Sequence, residues 1–146
     1  MNIGDLFRKT VRRSPDATAI ICGDRSATFR DIDRRSDALA SWLQDMQVGV
    51  GARVLICLEN SIEFVEVFAA VAKIGAIVVP ISPRLMPDEI APILSSAQPA
   101  VAIVRSCRSV DYSQSVPHCV VLEQDSNGDL YDEIVATHMG REPAQA

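Results

Sequence analysis

With 146 residues, the chain suits a single domain that buries roughly two-thirds of its unfolded surface. Apolar residues make up 48% and charged residues 23%, a globular composition that excludes disorder everywhere but the C-terminal end. The net charge of −5 argues against a nucleic-acid surface, which needs clustered basic residues. The pairs Arg12-Arg13 and Arg34-Arg35 sit among Asp16, Asp31, Asp33 and Asp37, and read as solvated helix faces.

The N-terminus has no apolar run of signal-peptide length. Ile3, Leu6, Phe7 and Val11 share one face at helical spacing and predict a helix over residues 2–13. Ser14-Pro15-Asp16 ends it. Residues 18–22 and 27–29 are strand-like around Gly23-Asp24-Arg25, a hairpin. Thr28 with Asp31 has the form of a capping box and opens a helix to about residue 46, with Ile32, Leu39, Trp42, Leu43 and Met46 on one face. Val48-Gly49-Val50-Gly51 is a turn. Residues 53–58, RVLICL, form a continuous apolar run, the mark of a strand covered on both faces.

Asn60, with Glu63 three positions on, reads as the cap of a helix over residues 62–74. This helix is apolar almost all round and is expected to be buried on most sides, with Val65 and Phe68 in the core. Glu63, Glu66 and Lys73 form its narrow polar stripe. Gly75 stands where a left-handed C-terminal cap belongs. Residues 76–81 read as a second buried strand, with Pro80 near its end. The window 64–81 approaches membrane length, but Glu66, Lys73, Gly75 and Pro80 break it. A buried helix followed by a strand is expected, and no membrane span.

Pro87 with Asp88 and Glu89 marks another helix start, running to about residue 97 with Pro92 awkwardly in its second turn. Residues 101–104 and 118–122 are further strands. Residues 105–116 form a polar connection, residues 125–129 a turn, and residues 130–135 a short helix. The alternation predicts an α/β fold with a mainly parallel sheet and helices on both faces. Residues 1–136 are expected to form the domain and residues 137–146 a loose tail.

Chemistry-bearing patterns are few. The cysteines Cys22, Cys57, Cys107 and Cys119 have no ligand spacing. His118 and Cys119 alternate faces of a strand and cannot pair as base and nucleophile. No metal site and no cysteine chemistry is expected, and a reduced, cytoplasmic protein is. The sequence from Gly49 to Val54 lacks the third glycine of a dinucleotide fingerprint and precedes a strand instead of following one. The only lysines, Lys9 and Lys73, follow no glycine-rich loop, so ATP binding by this chain alone is not expected. The acid pairs Asp88-Glu89 and Asp132-Glu133 are explained by helix ends. No catalytic, cofactor-binding or metal-ligating residue is nominated.

One resemblance covers most of the chain. Thr28-Phe29, Asp31-Ile32, Ala38-Leu39-Ala40 and Leu43 resemble the first core motif of the adenylate-forming (AMP-binding) enzymes. These are the acyl-CoA synthetases, the adenylation domains of peptide synthetases, and the luciferases. Gly51 with Arg53-Val54 resembles their Gly-Asp-x-Val turn, with Ala52 in place of the acid. Asn60-Ser61, Glu63-Phe64, Ala69, Lys73, Gly75-Ala76 and Pro80 resemble the second core motif and the helix before it. Ser82-Pro83-Arg84-Leu85, Glu89-Ile90 and Ile93-Leu94 continue in register. Met86, where a capping threonine is common, and Pro92 depart from the pattern.

The resemblance implies the first subdomain of the family's large domain, and no catalytic residue. For a complete enzyme it implies an acid–thiol ligase using ATP, Mg²⁺ and coenzyme A or carrier-protein pantetheine. This chain would supply scaffold, either as a short chain whose active site comes from a complementary ligase fragment or equally as a truncated piece of a longer ligase. The alternatives are a non-catalytic protein that binds and regulates a full-length ligase, and an independent small-molecule-binding α/β domain. Uncovered apolar surface predicts binding to a ligase fragment or self-association.

Overall fold

Helix α1 (Ile3–Arg13) leads into the antiparallel hairpin of β1 (Thr18–Cys22) and β2 (Arg25–Thr28). A computed structural model describes residues 3–105, 108, 110–123 and 129–146. Asn2, Cys107 and residues 125–128 of the expected turn lie outside the described residues. Thr28 caps α2 (Phe29–Asp45): its side chain accepts from Asp31 N, and the Asp31 carboxylate accepts from Thr28 N at 2.9 Å. The capping box expected from sequence is present on both sides.

The RVLICL run becomes β3 (Arg53–Cys57), buried from Val54 onward. Then come α3 (Ile62–Lys73), β4 (Ile77–Pro80), α4 (Pro87–Ala97), β5 (Val101–Val104), the one-turn α5 (Val110–Ser113), β6 (His118–Val121), the two-residue β7 (Asp129–Leu130) and α6 (Tyr131–His138). The second sheet has the order β4-β3-β5-β6-β7, and every pairing is parallel.

The chain moves one way from β3 to β4 and then reverses across β3 to β5. Crossovers of one hand therefore place α3 and α4 on opposite faces. The core shows this division. Val54, Ile56, Val101, Ile103 and Val120 face α2, α3 and α6. Leu55, Cys57, Ala102, Val104, Cys119 and Val121 face Ile90 and Leu94 of α4, together with Tyr112 and Val116. The hairpin and Phe7 pack on Ile32, Ile62 and Ala69, outside the α2–α3 pair.

Four expectations need correction. The cap of α3 is Ser61, whose hydroxyl accepts from Phe64 N at 3.2 Å; Asn60 lies one residue too early. β4 is an edge strand, not a strand covered on both faces, and Ile77 is 45% exposed. Its apolar composition had suggested burial, but among the described residues no strand pairs beyond it. Phe68 is 39% exposed, while Val67, Ala70 and Val71 of the same helix are fully buried. An almost wholly apolar helix gives no polar face by which to orient it. The short helix after residue 130 extends to His138.

Two glycines meet specific demands. Gly75 has φ of 70° just past the end of α3, the left-handed position expected of it. Gly4 is buried, and a Cβ there would lie 2.7 Å from Lys73 Cα, so α1 rests on the backbone of α3.

Candidate functional site

The first polar centre lies between α1, α2 and α3. Helical spacing puts Asp33, Ser36 and Asp37 on the α2 face opposite the last turn of α3. Lys73 Nζ donates to Asp33 Oδ1 at 2.7 Å, to Asp37 Oδ1 and Ser36 Oγ at 2.8 Å, and to the Asp33 carbonyl at 3.0 Å. Its side chain is wholly enclosed. The Phe7 ring centroid is 5.5 Å away, a cation–π distance, and Arg8 reaches Asp37 at 3.5 Å. Burial pushes the Asp37 carboxyl above its usual value, against the pull of Lys73.

The second centre joins α2, α3 and α6. Arg35 Nε donates to Glu66 Oε1 at 2.7 Å, and Tyr131 OH donates to Glu66 Oε2 at 2.7 Å. Arg35 Nη2 also reaches Asp132 at 3.1 Å. Glu66 is only 2% exposed. Burial raises its carboxyl above the ordinary range, opposed by Tyr131 and Arg35. Tyr131 is pushed well up by burial and by Glu66.

These centres overturn the reading of Arg35, Asp33 and Asp37 as a solvated face. Glu66 and Lys73, expected on the narrow polar stripe of α3, are buried. Sequence reasoning missed both networks because their partners come from separate helices. A signal was present: two charges, Glu66 and Lys73, seven residues apart on an otherwise apolar helix need partners if that helix is buried.

The second centre opens into a cavity of about 590 Å³ lined by Arg25, Asp31, Arg35, Glu63, Glu66 and Asp132 among others. A smaller one of about 110 Å³ adds Arg105 and Glu123 from the carboxyl ends of β5 and β6. This is the strand end where α/β sheets bind ligands. Arg25 pairs with Glu63 at 2.7 Å and Arg105 with Glu123 at 2.9 Å. Burial raises the Glu63 carboxyl, but Arg25 outweighs it and holds the group below its usual value. All three arginines are paired, and the five carboxylates outnumber them. That lining does not fit a triphosphate. Among the described residues no group of three His, Cys, Asp or Glu could hold a metal ion, and no helix is long and apolar enough to cross a membrane.

A third feature is apolar. Ile3 and Leu6 of α1, Phe68 and Ala72 of α3, and Gly75, Ala76 and Val78 line an open groove of about 480 Å³. Ile3 is 61% and Leu6 50% exposed. The groove runs onto β4. Ile77 N and Ile81 N bond inward to β3 and its flank, so Val78 and Pro80 alternate outward. Pro80 carries no donor, which blunts the edge.

The profile of the AMP-binding enzyme family matches residues 7–143. Malpinin synthetase of Mortierella alpina is 37% identical over 99 residues, 68% of this chain and 1% of that protein. Malpibaldin synthetase of the same organism is 34% identical over 134 residues, 91% of this chain and 2% of its own length. The crystal structure of the anthranilate CoA ligase AuaEII in complex with anthranoyl-AMP superposes with a TM-score of 0.89 and 26% identity, over 100% of this chain and 30% of that one. The chain thus spans only a small part of the relatives it matches. By profile, sequence and fold, it belongs to the AMP-binding, adenylate-forming enzyme family.

Proposed function

We propose that the chain is the N-terminal scaffold part of an ATP-dependent acid–thiol ligase. In that reaction a carboxylate attacks the α-phosphate of ATP, giving an acyl-adenylate and pyrophosphate. A thiol of coenzyme A or carrier-protein pantetheine then takes the acyl group and releases AMP. Residues outside this chain supply the phosphate loop, Mg²⁺ site and catalytic lysine. Here Lys73 is fully engaged in a buried cluster, and the two cavities beside the strand ends hold more carboxylates than arginines.

The observation that carries this reading is the uncovered apolar groove running onto edge strand β4. Contiguous apolar surface of this kind marks an interaction site. The occupant proposed is the remainder of a ligase large domain. The experiment mixes the chain with an adenylation domain from which the portion matching residues 7–143 is deleted, and follows sedimentation. A one-to-one complex is expected with the deleted domain and none with the complete one. Binding to the complete domain alone would favour the regulatory partner. A clean monomer that binds neither form, and no hydrophobic dye, would overturn both readings.

A further inference from the structure

Helix α2 ends on an acid, Asp45, and its last turn carries no basic residue. The helix dipole disfavours negative charge there. Compensation comes from the other end of the chain. Arg141 donates through both terminal nitrogens to the Asp45 carboxylate, at 2.6 and 3.0 Å. His138 Nε2 lies 3.4 Å from the same carboxylate. One residue earlier, the Gln44 carboxamide grips both backbone polar groups of Ala144. Its Nε2 donates to the Ala144 carbonyl at 2.8 Å, and its Oε1 accepts from Ala144 N at 2.9 Å. Pro143, between the two grips, is buried. Beyond α6 the segment has no helix or strand of its own. Its last residue, Ala146, lies where a Cβ on Gly75 would meet it at 2.9 Å, and Gly75 lines the apolar groove.

We infer that residues 139–146 form a charge-latched strap on α2, which opens without unfolding the domain and whose closure sets Ala146 against Gly75, at the rim of the apolar groove. The latch groups are half-exposed, with side-chain exposures of 50% for Arg141 and 42% for Asp45. An ion pair so exposed is weak and screened by salt. The two carboxamide bonds add a modest, salt-independent hold. Opening the strap therefore costs far less than unfolding the strands beneath α2, which are fully enclosed. A group seated on Gly75 and a closed strap compete for one space, so each weakens the other by the same factor.

The test uses the full chain and hydrogen exchange at the Ala144 amide. Asp45→Asn removes the latch charge, Gln44→Ala removes the carboxamide grip, and Asp16→Asn breaks the remote, more exposed Asp16–Arg30 pair as a control. Exchange at Ala144 in the unaltered chain is expected to be slower than in a free peptide and faster than at Leu55 in β3. Asp45→Asn and high salt should each speed it by about fivefold, and Gln44→Ala should speed it with no change in salt dependence. Leu55 protection stays unchanged throughout, and Asp16→Asn has no effect. Asp45→Asn should also tighten binding of a hydrophobic dye. Ala144 exchanging together with Leu55, exchange at the free-peptide rate in the unaltered chain, or dye binding indifferent to Asp45→Asn would overturn the inference.

Discussion

Single residues set the acid and base behaviour of this domain in two opposite directions. The Asp31 carboxyl is held below its usual value by hydrogen bonds from Thr28. Its contribution is present above the unfolded value of 3.8 and is lost as pH falls through the lower folded value. Asp31→Asn should cost about 1 kcal/mol at neutral pH, a deficit that shrinks in acid. Glu66 works the other way. Burial lifts its carboxyl above 4.5, so the folded chain binds that proton more tightly than the unfolded one. Its contribution is fully present below 4.5 and is lost as pH rises through the folded value. Glu66→Gln should therefore compare best with the unaltered chain at neutral pH and lose ground in acid. Urea midpoints across the acid range measure both variants; slopes of the same sign would contradict the assignment. The Thr28–Asp31 box was legible because its two halves are local in sequence. The Glu66 network was not, because Arg35 and Tyr131 reach it from 31 and 65 residues away.

Among the elements, α3 shows what a sequence pattern carries and what it leaves open. Its extent, its burial and its glycine stop were readable from composition and position. Its orientation was not, since apolar residues occupy nearly every face. Phe68, expected in the core, looks into the open groove, and Lys73, expected on a polar stripe, is enclosed. The two residues should thus exchange their anticipated importance. Lys73→Met leaves Asp33 and Asp37 without their shared cation and should cost about 3 kcal/mol. Phe68→Ala, at a site 39% exposed, should cost under about 2 kcal/mol while weakening dye or partner binding at the groove. Denaturant titration orders the two variants, and a larger loss for Phe68→Ala would mean that the helix faces the other way. The edge position of β4 was likewise hidden, because AIVVPI and RVLICL look alike and only topology leaves one of them with a neighbour on one side alone.

At the scale of the whole molecule, the parallel sheet and its two helical faces followed from the alternation of apolar runs with amphipathic segments. Family membership followed from weak motifs in the right order. The cavities beside the strand ends hold more carboxylates than arginines, with every arginine paired, and the chain spans about a third of the ligase structure it superposes on. The central proposal is that this chain is a scaffold part of a ligase and does not by itself adenylate. Acid-dependent exchange of pyrophosphate into ATP tests it most directly, using a broad panel of amino, aromatic and fatty acids with the purified chain. The account predicts no exchange above the enzyme-free blank for any acid, and exchange on adding a ligase domain that lacks the matching N-terminal portion. Robust acid-dependent exchange by the chain alone would contradict it.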